Sequence, residues 1–123
     1  AAYHAGAVLA SNGIAALVDA AVSLLARGGV DRGTALDALA PLTHAAVDNV
    51  FRLGPAAALT GPVVRGDVTT VARHLTALGQ GSSEVVELYR AVARCLIRLA
   101  AERGQAPEVQ AALTRAVDTR KEN

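Results

Sequence analysis

The sequence predicts an all-α fold, a bundle of five to six helices. Three observations carry the prediction. Apolar residues recur at three- and four-residue steps through most of the 123 residues. The breaks in that rhythm fall at Gly, Pro, Asp and Ser, the residues that stop and start helices. No stretch alternates apolar and polar residues with the period of two that a half-buried strand requires. The length is that of one domain, read as residues 1–118 with a polar tail at 119–123.

The first helix is expected from Ala2 to Arg27. Ala7, Ile14, Leu17, Val18, Ala21 and Leu25 form one face, and Asn12, Asp19, Ser23 and Arg27 lie opposite. Gly28-Gly29 supplies the stop. At 1.5 Å per residue this helix is about 39 Å long. That is long for a small domain, so part of it is expected to pack on something outside the chain. A second helix follows Asp31 and ends at Gly54-Pro55, with Leu39, Leu42, Thr43, Ala46 and Val50 as its buried face. Pro41 removes a backbone donor within it and is expected to kink or split it near Leu39.

Pro55 to Leu59 reads as a short turn. The segment Leu59-Thr60-Gly61-Pro62-Val63-Val64-Arg65-Gly66-Asp67 reads as a loop, the one place where the helical pattern clearly fails. Asp67 is expected to cap a helix carrying Val68, Val71, Ala72, Leu75 and Leu78 on one stripe. Gly79 and Gly81 stop it, and Ser82 or Ser83 caps the next helix, Glu84 to Arg103. That helix is apolar almost all round, which places it centrally. Pro107 opens the last helix at the position proline prefers. Val109, Ala112, Leu113 and Ala116 are its buried face.

Composition excludes several functions. A formal charge of +1 lacks the basic excess of a nucleic-acid-binding domain. One cysteine, Cys95, leaves no disulfide framework within the chain, and its apolar helix makes a buried thiol the expectation. The most apolar stretch, Ala5 to Ala26, is interrupted by Ser11, Asn12, Asp19 and Ser23 and lacks the basic start of a signal peptide. The expectation is therefore no membrane span and a cytoplasmic location. The chain starts at Ala1, already close to a helix, and reads as a piece of a longer protein.

Few residues carry chemistry. His4 and Ser11 are about 20° apart on the first helix and Asn12 about 80° from His4. They form either a polar cluster facing a cleft, with His4 as proton donor, or an exposed helix start running into a solvated stripe. Asn49 flanks the buried face of the second helix, where its amide needs partners. Thr60 and Arg65 lie in the loop ahead of a helix N-terminus, where free N–H groups favour an anion. Asp67 competes for those same N–H groups. Arg90, Arg94 and Arg98 form a row of like charges, expected to be solvated. His74 falls on a wet face. No metal-ligand spacing, nucleophile–base pair, P-loop or dinucleotide fingerprint occurs.

Two segments carry a resemblance. Tyr3-His4-Ala5-Gly6-Ala7-Val8-Leu9-Ala10-Ser11-Asn12 is one, and Leu59 to Asp67 with the Thr70-Val71-Ala72-Arg73-His74-Leu75 helix is the other. Together they resemble the C-terminal domain, of unknown function, in a bacterial family of Rossmann-like NAD(P)-dependent oxidoreductases. That domain is similar to the helical C-terminal domains of 6-phosphogluconate dehydrogenase, ketopantoate reductase and pyrroline-5-carboxylate reductase. The resemblance spans about Ala2 to Arg103. It implies a full-length protein whose N-terminal Rossmann domain binds NAD(P), with no cofactor expected on the present chain. It implies that the helical domain closes a cleft over a small-molecule substrate and makes a homodimer. His4 and Asn12 would then stand at the catalytic positions, with Ser11, Asn49, Thr60 and Arg65 toward the substrate. His4 departs from the relatives' pattern, which has a lysine there. A non-catalytic helical dimerisation module is the alternative.

Overall fold

The computed structural model describes residues 1–120. The expected polar tail is therefore seen only at Thr119 and Arg120, both exposed, and its last three residues lie outside the described ones. Among the described residues there are six helices and no strand: α1 Ala2–Arg27, α2 Arg32–Leu53, α3 Pro55–Ala58, α4 Val68–Leu78, α5 Ser83–Glu102 and α6 Pro107–Asp118. The chain divides into two compact units, Ala1–Val47 and Asp48–Asn123.

The helix ends follow from local chemistry. Asp31 caps α2 by accepting from the Thr34 N–H at 3.1 Å and the Thr34 hydroxyl at 2.6 Å. Asp67 does the same for α4 through Thr70, at 3.0 and 2.6 Å. The Ser82 hydroxyl accepts from the Glu84 N–H and starts α5. Pro107 stands in the first turn of α6, where its missing donor costs nothing. The expected turn after Gly54 is the single helical turn α3. α2 runs through Pro41 without splitting. The unpaired carbonyl that a mid-helix proline leaves is tolerated where it faces solvent, and the residues around Pro41 are exposed.

The first unit is two helices with almost no core. Val22 and Ala35 are its only buried residues, and both lie close to the connecting turn. An ion pair between Arg32 and Asp19 at 3.2 Å ties the helices there. The buried face expected for α1 is corrected: Ile14 and Leu17 are 37% and 43% exposed, and Ala7 is exposed as well. Tyr3, Leu9 and Val8 are also open to solvent. On α2 the expected core residue Leu42 is 68% exposed and Ala46 is exposed. The periodicity marked an apolar side, but nothing in the unit covers it.

The second unit holds the core. Val71 and Leu75 of α4, Ala93, Ile97 and Ala100 of α5, and Leu113 and Val117 of α6 pack together with Val63 from the loop. α6 is the hub, meeting both α4 and α5. The α4 stripe is largely as the spacing predicts, with Val71, Leu75 and Leu78 buried. α5 buries Arg90, Ala93, Ile97 and Ala100, one stripe rather than the whole circumference. Cys95 is exposed, not buried. Two residues from Ala93 is about 200° round a helix, which turns the thiol away from the packed stripe.

Candidate functional site

The six candidate residues fall into two sets, one in each unit. His4, Ser11 and Asn12 sit on α1, all exposed. Two helical turns, about 10 Å of rise, separate His4 from Ser11. The Ser11 hydroxyl donates to the Ala7 carbonyl at 2.6 Å, a bond within its own helix. Asn49, Thr60 and Arg65 belong to the second unit. Asn49 is half-buried near the end of α2, and its side-chain oxygen accepts from Arg52 at 2.8 Å. Thr60 and Arg65 are exposed on the loop. Within each unit no candidate side chain is hydrogen-bonded to another.

The loop itself is a built object. It runs from Leu59 to Asp67 and turns back on itself, with Arg65 N–H to Gly61 O at 3.3 Å and Asp67 N–H to Pro62 O at 2.8 Å. Gly61 and Gly66 take the left-handed conformation, at φ 93° and 70°. Gly66 is needed twice over, because a Cβ there would lie 2.8 Å from Val109 Cγ1. Val63 plugs into the core at 3% exposure. The segment between α5 and α6 holds the loop from outside. Gln105 Nε2 donates to the Val63 carbonyl at 2.8 Å, and Arg103 donates to the Leu59 carbonyl at 2.7 Å. Gln110 closes the network, donating to Gln105 at 2.5 Å and to the Ile97 carbonyl at 2.9 Å.

The loop geometry decides what the α4 N-terminus can do. The hydroxyl and N–H of Thr70, joined by the positive Arg65 and Arg73, hold the Asp67 carboxyl below its ordinary value. An ionised carboxylate already occupies the position an external anion would take. The α4 N-terminus is thus filled from within, and it does not fit a nucleotide phosphate. Asp31 is held low in the same way by Thr34.

Two features of the second unit escaped the spacing argument. Arg90, expected in a solvated row, is 7% exposed. Its guanidinium donates to the carbonyls of Val117 and Thr119 and so caps the C-terminus of α6 with a positive charge. Its Nε has no hydrogen-bond partner, and Glu87 Oε1 stands 4.0 Å away. Arg94 and Arg98 are exposed as expected, paired with Asp118 at 3.0 Å and Glu102 at 3.6 Å. His74 also has a partner: its Nδ1 lies 2.9 Å from the Tyr89 hydroxyl, with the rings edge to face. Burial pushes the Tyr89 phenol up. Tyr89 and His74 are fifteen residues apart on different helices, so no local pattern announces the pair.

An open cleft of about 760 Å³ lies between α4, α5 and the end of α6. Thr76, Val86, Glu87, Arg90 and Arg120 are among its walls, and none of the six candidate residues is. Its charged groups are engaged, Arg120 with Glu87 at 2.9 Å and Arg90 with the carbonyls of Val117 and Thr119. Among the described residues no group of His, Cys, Asp and Glu could hold a metal ion.

α1 is also apolar over most of its length despite its polar interruptions. Its best 18-residue window has a mean hydropathy of 1.8, long and apolar enough by length and composition to cross a membrane. Only 6% of that window is buried.

Neither curated proteins nor solved structures gave a match to this chain. A family model does match residues 1–96, which hold α1 to α4 and most of α5. The chain therefore belongs to the DUF2520 family, a domain of unknown function.

Proposed function

We propose that this chain is the dimerising, cleft-closing part of a two-part NAD(P)-dependent oxidoreductase and is not catalytic alone. One observation carries the reading: the apolar surface of the first unit lies open. Tyr3, Leu9 and Leu17 of α1 and Leu36 and Leu42 of α2 are all exposed. Exposed large apolar side chains in such number mark a place where another body docks. The resemblance in the Tyr3–Asn12 and Leu59–Asp67 segments supports a nucleotide-binding domain and a second protomer as those bodies. The dinucleotide then belongs to the other domain, because these helices hold no phosphate-binding turn and the α4 N-terminus is filled by Asp67. His4, Ser11, Asn12, Asn49, Thr60 and Arg65 are proposed to face substrate only in the assembled protein, in a cytoplasmic enzyme.

The test has two arms. The coding sequence upstream of Ala1 should carry a Gly-rich strand–turn–helix fingerprint, and the protein containing it should bind NADPH or NADH while this chain alone does not. Absence of such a segment, or tight NADPH binding by the chain alone, overturns the reading. The alternative, a helical interaction module without catalysis, is favoured by the Ser11 hydroxyl being bonded within its own helix. In that case the longer protein dimerises, and His4→Ala and Arg65→Ala change no turnover.

A further inference from the structure

We draw no further inference here: the strongest candidate, the open cleft between α4, α5 and the end of α6 with Arg90 in its wall, carries nothing because Arg120 is engaged with Glu87 and Arg90 with the carbonyls of Val117 and Thr119, and the unpartnered Arg90 Nε is itself buried rather than open to a ligand.

Discussion

Gly66 and Val109 are locked face to face: the missing Cβ of Gly66 leaves room for Val109 Cγ1, which would otherwise stand 2.8 Å from it. This close approach seats the loop against α6. With the Gln105 bond to Val63, it makes the loop part of the core.

Gly66→Ala is therefore expected to destabilise the fold by about 2–3 kcal/mol, combining the left-handed backbone penalty with overpacking. Urea unfolding measures it. In a Val109→Ala background the steric part disappears and the backbone part stays, so the cost should fall but not vanish. An equal cost in both backgrounds would show that Val109 does not confine the glycine.

Asp67→Ala removes the cap of α4 and should lower the melting temperature by a few degrees at pH 7. The sign with pH follows from the depressed carboxyl. A group whose folded value lies below its unfolded value of about 3.9 stabilises above that pH. The benefit fades as pH falls through the folded value. The gap between wild type and Asp67→Ala should therefore narrow as the pH falls below about 4. Thermal melts at fixed protein concentration check this; a gap independent of pH would mean that the ionised carboxylate is not the cap.

Arg90→Ala strips two α6 carbonyls of their donors in a buried place and should cost about 2–4 kcal/mol. Arg90→Lys keeps the charge but cannot serve both carbonyls in the same fork, so about half the loss should remain. Hydrogen exchange in the last turn of α6 should quicken in both variants. Arg94→Ala, by contrast, breaks only an exposed ion pair and should change stability by less than about 1 kcal/mol.

Leu9→Ser and Phe51→Ser touch side chains that are 76% and 81% exposed. Each should leave the unfolding free energy of the monomer within about 0.5 kcal/mol. A large loss of monomer stability would mean that these side chains are covered within the chain.

The punctuation was legible. Gly28, Gly54-Pro55, Asp67, Ser82 and Pro107 set the helix limits, because their preferences act over one turn. The faces of α4 and α6 were legible too, since each helix has one apolar side and packs it within the unit. For α1 and α2, periodicity reveals an apolar side but not whether the same chain covers it. Arg90 was misread because its partners, Val117 and Thr119, lie 27 and 29 residues later. The Tyr89–His74 pair was missed for the same reason. The candidate site was the least legible part. Residue types at a spacing say nothing of tertiary placement, and Ser11 and Asn49 spend their hydrogen bonds locally.

The central claim is that the bare apolar side of the first unit exists to be covered by another body, and first of all by a second copy. Sedimentation equilibrium of the unmodified chain tests it most directly. The account predicts a species of twice the 12.5 kDa chain mass at micromolar concentration. A single species of 12.5 kDa that persists to the highest soluble concentration would contradict it.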